Sequence, residues 1–187
     1  IDLFDLRSMV ELIDAFYPRL LSQIDRDPQS PSYGSCDRQF WMYRLHDFDS
    51  GVLQQASLAL AGLAGLVATA PCQGLDHLSP ERIPAWVELA DAINRRTAKL
   101  AGRGGALDEY FAGERSLPAT AFAGFAMIRS AVMIERFDGP VRAAAEAIGG
   151  RLLTAHPSPA ANQNMAAAAV LAALAAQGWR EDACRRR

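Results

Sequence analysis

Four of the prolines after residue 79 each stand where a helix is due to begin. They are Pro80 after Ser79, Pro118 after Ser116-Leu117, Pro140 after Asp138-Gly139 and Pro159 after Ser158. Proline suits the first helical turn because its missing N–H would have no intrahelical partner there. Each is followed by a helix-compatible stretch of about fifteen to twenty residues. The spacing predicts helices near 3–25, 50–69, 80–101, 118–136, 140–155 and 159–177. Pro18 falls inside the first and predicts a kink or a division. Residues 37–48 read as a short helix or a helix-rich entry, since Phe40, Trp41, Arg44 and Phe48 fall at helical spacing.

Strand signals are poor. No Asn-Gly or Asp-Gly turn separates alternating runs, and alanine dominates where valine and isoleucine would be expected. The fold class is therefore all-α, built of antiparallel helical hairpins with short connections and about six main helices. Alanine-rich faces at 56–68, 119–126 and 166–176 allow close helix approach. With half of its residues hydrophobic and 21% charged, the chain has ordinary globular composition. Residues 1–187 are read as one helical domain.

The balance of charge excludes some partners. The net charge of -2 gives no field that would steer the chain to nucleic acid or an anionic membrane. The apolar run 52–70 carries Gln54, Gln55 and Ser57 at its start, which favours a buried helix over a membrane span. Three scattered cysteines, Cys36, Cys72 and Cys184, form no CxxC pair, so neither a disulfide framework nor a zinc site is expected. No cluster has metal-ligand spacing, no phosphate-cradling loop is present, and no cofactor is expected. With no signal peptide visible, the expected compartment is the cytoplasm.

Three polar clusters are not explained by packing. They are "PSYGSCDRQFWMYRLHDFDSG" at 31–51, "GGALDEYFAGERS" at 104–116 and "PSPAANQN" at 157–164. In an antiparallel array, alternate loops emerge at the same end, so the three are placed to line one mouth. Aromatic rings stack on the C–H faces of sugars, and charged forks hold hydroxyls and carboxylates. Plainer roles stand beside these. Phe40 and Trp41 also fit as core anchors, Asp37 as an N-cap, and Asp47 or Asp49 as caps of the next helix. His46 also fits as a structural histidine, Glu114 and Arg115 as a surface pair, and Asn162 and Gln163 as partners of backbone groups in a first helical turn.

Taken together, the clusters resemble the N-terminal helical region of heparinase II/III-like proteins of the (α/α)-toroid class. The resemblance rests on Asp37, Arg38, Trp41, Tyr43, Arg44, Asp47 and Phe48, then Asp108, Glu109, Glu114, Arg115, Ser116, Thr120 and Phe122, then Asn162 and Gln163. It covers roughly residues 5 to 175 and implies a partial toroid. Family members are usually longer, so the chain reads as half of a larger toroid or as a short relative, and a second copy or a complementary subunit is expected to complete the ring. The resemblance also implies an acidic, uronate-containing glycan as ligand, with a small molecule as the alternative.

A uronate lyase removes a proton alpha to a carboxylate, which requires a neutraliser and a base. Tyr43, His46 and Tyr110 are candidate bases, and Asn162 is a candidate catalytic neutraliser. Asp37, Arg38, Trp41, Arg44, Asp47, Glu109, Glu114, Arg115 and Gln163 are candidate substrate contacts. A hydrolase would draw instead on Glu109 or Asp47. A non-catalytic module binding a glycan or a partner protein, and a small-molecule enzyme on a half-toroid, are the alternatives.

Overall fold

A computed structural model describes residues 6–69 and 75–179. Among these residues seven helices follow one another: α1 (Leu6–Ser22), α2 (Arg38–Trp41), α3 (Ala56–Thr69), α4 (Ile83–Ala101), α5 (Leu117–Met133), α6 (Gly139–Thr154) and α7 (Ala161–Ala175). Short 3-10 turns at Gly51–Leu53 and Pro80–Arg82 lead into α3 and α4. Among the described residues there is no strand, only an isolated antiparallel bridge between Leu107 and Ser116. The all-α expectation with six main helices therefore holds, α2 being a single turn.

The proline signals place the helix starts well. Pro118 and Pro140 sit in the first turns of α5 and α6. Pro84, rather than Pro80, opens α4, because Pro80 is spent on the preceding 3-10 turn. α7 starts two residues after Pro159, where the Ser158 hydroxyl takes the Ala160 N–H at 3.1 Å. Pro18 does not divide α1. It lies near the C-terminal end, where few backbone bonds remain to be lost.

The helices pack in two layers. α3, α5 and α7 are neighbours in one, and α4 and α6 in the other, with hairpin contacts between layers. The N-termini of α3, α5 and α7 thus share one end of the stack. Alanine makes this closeness possible: Ala90, Ala119, Ala121, Ala131 and Ala145 are buried between the layers. Fully buried Ile93, Ile128, Ile148 and Leu60 supply bulk, each worth about 1.5–3 kcal/mol relative to exposure. Ser130 joins three helices, its Oγ lying 2.7 Å from Asn94 Oδ1 and 3.1 Å from Ser57 Oγ. The segment Gly51–Thr69 is long and apolar enough to cross a membrane, yet α3 is a core helix packed on α4 and α5.

Candidate functional site

The first cluster folds as a loop built around two buried carboxylates. Asp37 is the N-cap of α2, its Oδ1 accepting the Gln39 N–H at 3.0 Å and the Phe40 N–H at 3.3 Å. Its Oδ2 accepts the Ser50 N–H at 3.0 Å and lies 3.3 Å from His46 Nε2. Asp37 is 1% exposed, so its work is to tie the two ends of this loop together. Both of its carboxylate oxygens are used within the loop, and the residue also borders the cleft lined by Arg38, Glu109 and Tyr110.

Asp49 carries the second knot. Its Oδ1 accepts from the Ser35 hydroxyl at 3.0 Å and Gln54 Nε2 at 2.7 Å, and its Oδ2 from Arg96 Nε on α4 at 2.8 Å. Asp49 is thus a hub for three donors, not the helix cap the sequence suggests. Burial pushes its carboxyl above the usual range, against the pull of the Arg96 guanidinium. Gln54 is fully buried and also accepts the Cys36 N–H through Oε1 at 3.2 Å. A buried amide survives because both its ends are used.

The helix expected over 37–48 stops after one turn. Arg38 O accepts from both Met42 N and Tyr43 N, and Leu45 N–H reaches back to Gln39 O at 2.8 Å. Arg44 then takes a left-handed φ of 52° and turns the chain.

The second cluster, 104–116, locks onto the first. Gly51 N–H donates to Asp108 O at 2.7 Å, and the Ser50 hydroxyl to Glu109 O at 2.9 Å. Gly51 is required by proximity: a Cβ there would lie 2.5 Å from Leu107 Cβ. Within the second loop, Asp108 accepts Gly113 N–H and Arg115 N–H, and Glu114 accepts Glu109 N–H and Tyr110 N–H. Glu114, expected to touch substrate, therefore holds its own loop. Ser116 caps α5 and gives its hydroxyl to Glu109 Oε2 at 2.6 Å.

Two clefts flank the loop around His46. One, of about 860 Å³, is walled by Pro31, Ser32, Phe40, Trp41, Arg44, Leu45, His46 and Asp47. Trp41 is anchored by its indole N–H to Gln23 O at 3.0 Å, which leaves the ring as a fixed platform. The other, of about 750 Å³, has Arg38, Gln39, His46, Gln55, Glu109 and Tyr110 in its lining. Arg38 donates to the Tyr43 hydroxyl at 2.8 Å and lies 5.1 Å over that ring.

Several expected bases are already occupied. His46 Nδ1 lies 2.6 Å from Phe48 O while Nε2 faces Asp37, so neither ring nitrogen is open to a substrate. Tyr110 is exposed, but its hydrogen bond to the Glu109 carboxylate pushes the phenol up, away from service as a base. Arg115 is exposed in the second loop.

The third cluster closes on itself. Asn164, not Asn162, bridges the loop: its Oδ1 accepts the Ser158 N–H and its Nδ2 donates to Ser158 O. Gln163 accepts the Ser158 hydroxyl at 2.6 Å, and Asn162 is exposed on the first turn of α7. Neither Asn162 nor Gln163 lines either cleft. The expected meeting of Arg44 and Asp47 with Asn162 is therefore not seen at these clefts.

Sequence reading missed Ser35, Gln54 and Arg96, which hold the loop. A glutamine pair inside an alanine-leucine run was the available signal for Gln54. Cys36 is buried and its thiol is pushed up to about 12, chiefly by desolvation and then by Asp49. Cys72 and Cys184 lie outside the described residues. Among the described residues no group of histidine, cysteine and carboxylate side chains is arranged to hold a metal ion. No protein-family model, no curated protein and no solved structure matches this chain.

Proposed function

We propose that this protein is a carbohydrate-active protein that binds an acidic glycan in the cleft walled by Trp41, Arg44 and Asp47. The observation that carries the reading is the composition of that cleft. It sets an anchored indole and a phenyl ring beside a guanidinium and a carboxylate, in an open space of about 860 Å³. Rings of this kind stack on sugar C–H faces, and a guanidinium takes a carboxylate through a two-pronged hydrogen bond. The resemblance to heparinase II/III-like proteins motivates the choice of an acidic glycan, and an all-α fold does not by itself assign the ligand.

Binding is favoured over proton abstraction. His46 and Tyr110 are spent or poorly disposed, which leaves Tyr43 beside Arg38 as the base a lyase would use. The test is a titration with polygalacturonate, alginate, heparin and neutral dextran, with ultraviolet absorbance followed for unsaturated product. The expected result is binding of acidic polymers, lost in Trp41→Ala, without new absorbance. New absorbance that disappears in Tyr43→Phe would establish the lyase instead. No binding to any polymer refutes the glycan reading.

A further inference from the structure

Among the described residues, three other than glycine hold left-handed backbone angles: Arg44 at φ 52°, Arg115 at φ 57° and Glu135 at φ 58°. A side chain is crowded there, whereas glycine takes the conformation freely. Each position has a backbone reason to be left-handed. Glu135 closes the end of α5, with its N–H on Val132 O and the next N–H on Ala131 O. Arg44 closes α2, with the Leu45 N–H on Gln39 O, and Arg115 holds the turn before the α5 cap. These reasons call for a left-handed residue. None calls for arginine.

Arg44 differs from the other two in a second respect, because it lines the aromatic cleft. It is exposed, and its guanidinium has no ion pair or hydrogen bond among the described residues. The other cations nearby are engaged. Arg38 donates to Tyr43 and Met42, and Arg96 to Asp49 and Pro31 O. The structure thus keeps a strained, unpaired cation at the wall of a cleft where glycine would fit the backbone better.

We infer that Arg44 is the specificity-determining residue of this cleft, its guanidinium taking an anionic group of the ligand, carboxylate or sulfate. Asp47 in the same cleft disfavours anions close to its own carboxylate, which leaves the Arg44 side as the place for the acidic group. The inference rests on the glycan reading above and deepens it. Glu135, left-handed without lining the cleft, is the internal control.

The experiment compares the wild-type chain with Arg44→Gly and Glu135→Gly. Each is titrated with oligogalacturonate, a sulfated glycan oligomer and neutral dextran oligomer, and its Tm is measured. Arg44→Gly should bind acidic oligomers at least about ten-fold more weakly, the loss expected for one charge-assisted hydrogen-bonded contact. It should also lose most of the salt dependence of binding, with Tm equal or higher. Glu135→Gly should bind like wild type. The acidic oligomer whose binding falls more identifies the group read. Unchanged acidic-oligomer affinity in Arg44→Gly, or a fall in its Tm, overturns the inference. If wild type binds no glycan, the glycan reading fails separately, and inorganic sulfate followed by the Arg44 Nε–H NMR signal decides. A saturating shift sustains the anion contact, and a flat response overturns it.

Discussion

Replacing Arg96 by methionine removes one partner from a buried ion pair and leaves the other in place. Arg96 Nε lies 2.8 Å from Asp49 Oδ2, and the two side chains are 10% and 1% exposed. Truncating one member of such a pair costs about 3–5 kcal/mol, because the remaining charge is buried without compensation. For a chain of 187 residues, at about 2–4 °C per kcal/mol, that becomes a fall in Tm of roughly 6–20 °C. The loss carries a pH signature. Burial already raises the Asp49 carboxyl in the folded state, with Arg96 opposing it. In the window from the ordinary carboxylate pKa up to this raised value, the folded protein holds a proton that the unfolded chain has released. Stability therefore falls as pH rises through the window. Without Arg96 the carboxyl moves further up and the window widens, so Arg96→Met should be hurt more at pH 8 than at pH 5. Urea unfolding followed by tryptophan fluorescence at both pH values measures this. The paired change Asp49→Asn with Arg96→Met removes the uncompensated charge while keeping an acceptor for Ser35 and Gln54, and should recover part of the loss. A single-variant cost below about 1 kcal/mol, or one equal at both pH values, would refute the hub role of Asp49.

Other substitutions probe the same frame. Gly51→Ala drives a Cβ to 2.5 Å from Leu107 Cβ and should cost about 1–3 kcal/mol in urea unfolding. Ser116→Ala removes the α5 cap and the hydroxyl on Glu109; a loss of about 1 kcal/mol is expected by thermal denaturation. With Cys72 and Cys184 changed to serine, the remaining Cys36 should stay inert to a thiol reagent at pH 8 and react only on unfolding, since its thiol is pushed up to about 12.

The helices were legible because their signals are local. Proline at a first turn, serine at a cap and alanine on a packing face act within a few residues, and α4 to α7 begin within a few residues of where those signals point, whereas α3 starts at Ala56, after the 3-10 turn, and not near residue 50. Residues 37–48 misled because their helical spacing is real but their backbone is diverted: Asp37 caps, Arg44 turns left-handed, and Asp49 is drawn to Arg96 on another helix. That last contact spans residues 49 and 96, and no local pattern encodes it. The shared mouth was half legible. The first two loops do join, through Ser50 and Gly51 on one side and Asp108 and Glu109 on the other. The third has its own closing residue, Asn164, two positions from the Asn162 that the family pattern singled out.

The join between those two loops has an evolutionary consequence. Its acceptors are the main-chain carbonyls of Asp108 and Glu109, and its donors are a backbone N–H and one hydroxyl. Carbonyl groups stay the same when a side chain is exchanged. Arg44, Leu45 and Asp47 on the cleft wall are exposed and hold nothing in this join. On the proposed glycan reading, substitutions there redirect ligand preference without touching the join, and new specificity needs no re-solving of the fold.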